Sequence, residues 1–178
     1  RWAGTARVTK PAETAIDLRV QAVAPGISLI GGAGGNVVVW SGADGVVLVD
    51  SGRAEAAPVL AEAVARLAPG NVRFVVNTHG HADHTGGNEA FARKGAVTIG
   101  HESLRERVGR DPAAGPEGAA LAAGSRPLLT ITDTLALHLN GDRIDVLHVA
   151  DAHTAADLVV RWNDADVVAL GDIYWSGQ

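Results

Sequence analysis

The segment Thr78-His79-Gly80-His81-Ala82-Asp83-His84-Thr85-Gly86-Gly87-Asn88 concentrates three imidazoles and one carboxylate between residues 79 and 84. Imidazole nitrogen and carboxylate oxygen are the donors that hold zinc and related divalent metals. Buried together, such groups are costly unless a cation neutralises and coordinates them. The H-x-H-x-D-H spacing differs from the helical H-E-x-x-H signature, in which two His sit one turn apart. So short a segment cannot surround an ion, and further donors must come from elsewhere. Two later positions qualify: His153, after the apolar run ending at Val149, and Asp172, after the run Val168-Ala169-Leu170. Donors projecting from neighbouring strand ends meet at one edge of a sheet, which supports a site rigidly.

The elements that must position these groups follow from pattern and punctuation. Residues 72–77 read as a buried strand, so the first cluster sits on the loop leaving it, ahead of a helix starting near Asn88. Upstream, strands are expected at 17–23, 27–30, 37–41 and 46–50, an antiparallel meander punctuated by turns at 24–26, 31–36 and 42–45. Residues 54–67 carry Val59, Leu60, Val64 and Leu67 at helical spacing, and Pro69-Gly70 ends that helix. Downstream, a helix is expected at 88–94, a strand at 96–100 and a helix at 102–108. Residues 109–127, rich in Gly, Ala and Pro, read as a long surface excursion that could serve as a lid. Strands resume at 128–131, 134–139, 143–149, 157–162 and 167–170. The pattern is that of an α/β layered domain with mixed or antiparallel sheets.

Composition narrows the classes of function. The 178 residues, 47% of them hydrophobic, suit one domain (1–178) with a loose arm over 1–15. A net charge of −5, with 13 Arg and two Lys scattered singly, offers no footprint for nucleic acid. No apolar run approaches the roughly 18 residues of a membrane span. With no Cys there is neither a thiolate ligand nor a thiol nucleophile. The chain begins at Arg1 and has no Met, which slightly favours a periplasmic or secreted setting over the cytoplasm. Gly31 to Asn36 lacks the Lys-Ser/Thr ending of a phosphate loop and reads as a hairpin loop near the site mouth. No G-x-S-x-G elbow supports serine-hydrolase chemistry. His148 shares a strand face with Ile144 and Val146 and reads as a near-site or core His. Trp40, Trp162 and Trp175 read as packing residues; His101 reads as starting a helix and His138 as lying in a strand, neither with an assigned role.

On His79-x-His81-x-Asp83-His84, Ala152-His153-Thr154-x-x-Asp157 and Gly171-Asp172, the chain resembles the metallo-β-lactamase fold superfamily. The strand and turn from Gly45 to Gly52 add to the likeness, which spans residues 27–175. The resemblance implies an αβ/βα sandwich with a two-metal site at one edge of paired sheets. It implies that His79, His81 and His153 hold one metal, that Asp83 and His84 hold the second, and that Asp172 bridges them. Asp50 is then expected beside the ligands, accepting a proton from a ligand imidazole or orienting the metal loop.

One departure from the family pattern stands out. The family's usual later His ligand has no counterpart here, because no His follows His153 and the sequence ends six residues after Asp172. The reading is therefore of a chain incomplete at its C-terminus, with a weak or empty second site. Core surface would then lie open to self-association or a partner chain.

The implied activity is that of a metal-dependent hydrolase, with one or two zinc ions, or else iron or manganese. A metal-bound hydroxide would attack a carbonyl or phosphoryl centre of a small-molecule substrate, and Asp83 would help to orient it. Two alternatives stay open. One is iron redox chemistry on the same N/O donors. The other is a non-catalytic, metal-stabilised binding or assembly module.

Overall fold

Two sheets face each other in the computed structural model, which describes residues 15–107 and 126–174. The first sheet holds seven strands in sequence order: β1 (Arg19–Ala24), β2 (Ile27–Ala33), β3 (Gly35–Gly42), β4 (Gly45–Val49), β5 (Val72–Val76), β6 (Val97–His101) and β7 (Leu129–Ile131). The second holds β8 (Thr134–Leu139), β9 (Asp142–His148), β10 (Leu158–Trp162) and β11 (Val167–Ala169), ordered β11-β10-β9-β8. Strands β1 to β4 pair antiparallel, as the turn-punctuated sequence predicts, whereas β4 to β7 are parallel. Helix α1 (Ala57–Leu67) follows a 3-10 turn and makes the crossover from β4 to β5. Short helices α2 (Ala82–Thr85), α3 (Asn88–Ala92) and α4 (Glu102–Arg107) and a second 3-10 turn at Gly171–Ile173 complete the described elements.

Side-chain alternation on the central strands divides the core in two. Along β4, Val46 and Leu48 face the helices while Val47 and Val49 face the second sheet, and all four are buried. The helix-side core gathers Ile30, Val37, Val39 and Val75 against Leu60, Ala63 and Val64 of α1 and Phe91 of α3. Between the sheets, Ile27, Trp40 and Ile99 meet Ile144, Val146, Leu158, Val160 and Trp162. Trp40 and Trp162 pack edge to face with ring centroids 6.4 Å apart, so both act as the packing residues expected of them. Each fully buried aliphatic side chain contributes about 1.5–3 kcal/mol, so these two layers fix the strand ends that carry polar groups.

Helix, sheet and sheet form the three layers seen. The second helical layer of an αβ/βα sandwich is not among the described residues. Most of the expected arm over 1–15, nearly all of the excursion over 109–127 and Trp175 also lie outside them. No described helix is long and apolar enough to cross a membrane.

Three local readings change. The expected loop at 31–36 is mostly strand, with β2 and β3 separated only by Gly34 and an irregular register between Ile30 and Ala33. The metal loop contains a helical turn, α2, in which the backbone N–H groups of His84 and Thr85 both donate to the His81 carbonyl. His101 ends β6 rather than starting a helix. The Asn140-Gly141 turn joins β8 to β9, both residues having positive φ as a tight hairpin demands.

Leu48→Ala tests the core assignment, because Leu48 is fully buried on the helix side. Urea unfolding should show a loss of about 2–5 kcal/mol, and a loss below about 1 kcal/mol contradicts the assignment.

Candidate metal centre

Strand direction brings the candidate donors to one edge. Because β4 and β5 are parallel and in register at Val49 and Val76, the residues after them, Asp50 and Asn77 to His79, emerge side by side. Strands β9 and β11 both run antiparallel to β10, so their C-terminal ends share an edge. The loop after β9 carries His153, and the turn after β11 carries Asp172. The backbone N–H of Leu158 donates to the Thr78 carbonyl at 2.7 Å and ties the second sheet to the first beside the site.

His79, His81 and His153 form a nearly equilateral group, with ring centroids 4.7, 4.8 and 4.9 Å apart and ring planes close to perpendicular. One donor atom from each, with one carboxylate oxygen of Asp172, lies within 4.8 Å of the others. His79 Nε2 is 3.1 Å from His81 Nδ1, and His153 Nε2 is 3.2 Å from the same atom. Such an N3O set, gathered this closely, suits a four-coordinate zinc-type ion. His84 and Asp83 extend the cluster on one side. His84 Nε2 lies 3.3 Å from Asp172 Oδ1 and 4.0 Å from Asp83 Oδ2, while Asp172 Oδ2 lies 3.9 Å from His79 Nε2. Asp172 thus turns one oxygen towards each half of the cluster. All six candidate donors from the sequence come together here.

Asp50 lies directly beneath, buried at the end of β4 with φ of +63°. Its carboxylate accepts three hydrogen bonds: Oδ1 from the Thr78 N–H at 2.8 Å, and Oδ2 from the Thr78 hydroxyl at 2.7 Å and from His84 Nδ1 at 2.7 Å. It therefore orients both the start of the metal loop and one of its imidazoles. Burial works against charge on His84, but the hydrogen bond to Asp50 and the charges of Asp50, Asp172 and Asp83 outweigh it and raise its pKa to about 9. Burial, then repulsion from His84, pulls His79 down to about 4, leaving it neutral at physiological pH with a lone pair for a metal.

A polar layer that sequence reasoning did not single out supports the loop from below. Ser51, Asn77 and Asn88 are fully buried. The Ser51 hydroxyl and Asn77 Nδ2 both donate to the Asn88 side-chain oxygen, and Asn88 Nδ2 donates back to Asn77 Oδ1 at 2.7 Å. The Ser51 N–H, the Ser51 hydroxyl and Asn77 Nδ2 also converge on the His84 carbonyl. The available signal was a polar residue at the end of each buried strand, which needs a partner to be tolerated there. The β2–β3 hairpin closes over this region so tightly that a Cβ on Gly35 would lie 3.0 Å from the His84 ring.

Other histidines stay outside the cluster. His148 stacks on His101 at 3.8 Å, its Nε2 3.2 Å from the Ala155 carbonyl, so it is a satisfied residue near the site. Beside His84 and Asp172 opens a cavity of about 270 Å³, walled in part by Leu29, Val38, Val49, Val168 and Leu170.

Comparison with known proteins identifies relatives of this chain. The family model of the metallo-beta-lactamase superfamily matches residues 30–177. A hydroxyacylglutathione hydrolase of Anaeromyxobacter dehalogenans is 35% identical over 134 residues, covering 73% of this chain and 42% of that protein. A B3 metallo-beta-lactamase with an active-site glutamic acid superposes with a TM-score of 0.69 at 28% identity, covering 81% of this chain and 56% of that one. The MIM-1 enzyme of Novosphingobium pentaromativorans shares the fold, with a TM-score of 0.68 at 22% identity over 84% of this chain and 58% of its own. The chain thus spans roughly half the length of these relatives.

The Asp50–His84 pair gives a pH signature in the metal-free protein. A raised folded-state pKa stabilises fully below the unfolded value of 6.5 and fades as pH rises through about 9. The stability gap between wild type and Asp50→Asn in urea should therefore be widest near about pH 6 and narrow towards alkaline pH. A gap that widens with pH contradicts the pairing.

Proposed function

The chain belongs to the metallo-beta-lactamase superfamily, and from that premise we propose that it binds zinc in this cluster and hydrolyses a small carbonyl substrate. The observation that carries the proposal is the gathering of three imidazole nitrogens and one Asp172 oxygen within 4.8 Å of one another. His79, His81 and His153 would hold the first ion, Asp83 and His84 the second, with Asp172 shared between them. Bound zinc supplies a water whose pKa falls to about 7 and a Lewis acid for the carbonyl oxygen.

The chain's own groups do the rest. Asp83, half-buried beside His84, accepts a hydrogen bond from the attacking water and orients it. His79, fully buried and neutral, keeps its lone pair available across the physiological range. Asp50 and the Ser51-Asn77-Asn88 layer hold the loop in place, so that little reorganisation is needed when substrate arrives.

A carbonyl substrate is favoured over a phosphoryl one by the cavity beside the site. Among the described residues its lining includes no Lys or Arg to receive a phosphate, while its apolar wall suits an acyl group. Both named classes of relative, a hydroxyacylglutathione hydrolase and beta-lactamases, are hydrolases of acyl compounds. Iron and manganese also accept this donor set, so the test includes them.

The chain, reconstituted separately with zinc, manganese and iron, is assayed on thioesters, lactones, β-lactams and phosphodiesters, and for oxygen uptake with a persulfide. Zinc-dependent hydrolysis of an acyl substrate is expected, falling to the uncatalysed rate in His81→Ala protein that keeps its fold by circular dichroism. Undiminished turnover in a His81→Ala sample shown to lack metal, or iron-dependent oxygen uptake without hydrolysis, overturns the proposal.

A further inference from the structure

The buried hydrogen bonds around Thr78 fix where protons must lie. The Thr78 hydroxyl is 2.7 Å from Asp50 Oδ2 and 3.1 Å from His79 Nδ1. A carboxylate has no proton to give, so the hydroxyl proton goes to Asp50. The Thr78 oxygen then faces His79 only as an acceptor, and His79 must carry its proton on Nδ1. That leaves the lone pair on Nε2, the atom facing His81 and Asp172. Asp50 Oδ2 also accepts the His84 Nδ1 proton directly, which leaves Nε2 of that ring as the atom facing Asp172.

We infer that Thr78 is a positioning residue: its hydroxyl relays the Asp50 carboxylate to His79, so that one buried charge presents Nε2 of an imidazole in each half of the cluster. Without the hydroxyl, Asp50 reaches only one of these two imidazoles, that of His84. The backbone reinforces the relay from the opposite side. Gly171 has φ of +54°, and a Cβ there would lie 2.6 Å from Thr78 Oγ1. The turn that delivers Asp172 therefore rests on the same hydroxyl. Thr78 joins Asp50, His79 and the Asp172 turn, and all three bear on the geometry of the two halves.

The inference rests on reading His79 as a metal ligand, yet its central test needs neither metal nor substrate. In metal-free protein labelled with 15N-histidine, long-range 1H–15N spectra at neutral pH report the tautomer of each neutral ring. Wild type and Thr78→Ser should show His79 as the Nδ1–H form. Thr78→Val and Thr78→Ala should shift His79 towards Nε2–H. Zinc affinity by chelator competition should fall roughly 10- to 100-fold in both, as for other partners that orient metal-bound His, and Thr78→Ser should restore it. A wild-type spectrum with His79 as Nε2–H overturns the inference with no variant needed. So does an Nδ1–H ring unchanged in both Thr78→Val and Thr78→Ala. The expected tautomers in a protein that binds zinc but hydrolyses nothing leave the relay standing and sink only the hydrolase proposal.

Discussion

A buried carboxylate at the end of a buried strand is the constraint on which the rest of this structure depends. Asp50 is almost without solvent contact and sits in a left-handed backbone conformation that costs on the order of 1 kcal/mol for a non-glycine residue. Removing one charge from water costs several kcal/mol more. Three short hydrogen bonds, two from Thr78 and one from His84, offset that cost. Each donor belongs to the loop that carries the candidate ligands, so stabilising Asp50 and shaping the loop are the same set of interactions.

The two apolar layers make this arrangement rigid. Val47 and Val49 lock β4 to the second sheet while Val46 and Leu48 lock it to α1. Asp50 is therefore held in place relative to Thr78, in the loop that leaves the neighbouring parallel strand. The second sheet contributes through strand direction, since β9 and β11 end at one edge and deliver His153 and Asp172 together. A metal entering such a site would meet donors already converged, with little conformational entropy left to lose.

Much of this was legible in the sequence, for identifiable reasons. That the H-x-H-x-D-H segment, His153 and Asp172 meet at one edge could be read because the strands before them are strongly apolar and set where each loop emerges. The meander of β1 to β4 could be read because its turns carry Gly, Asn and Asp. The layer of Ser51, Asn77 and Asn88 could not, since its members are common residues whose meaning lies in meeting one another across 37 residues of sequence. The same holds for Thr78, which reads as a flanking residue until its distance to Asp50 is known. Helix α2 was missed because four residues carry too little periodicity to register.

X-ray absorption at the zinc edge, on the chain loaded with one equivalent of metal, tests the central claim most directly. Three imidazoles and a carboxylate predict a shell of only nitrogen and oxygen near 2.0–2.1 Å, with the multiple-scattering pattern of about three histidines. A shell showing one His or none, or an octahedral arrangement of water oxygens, would contradict the account.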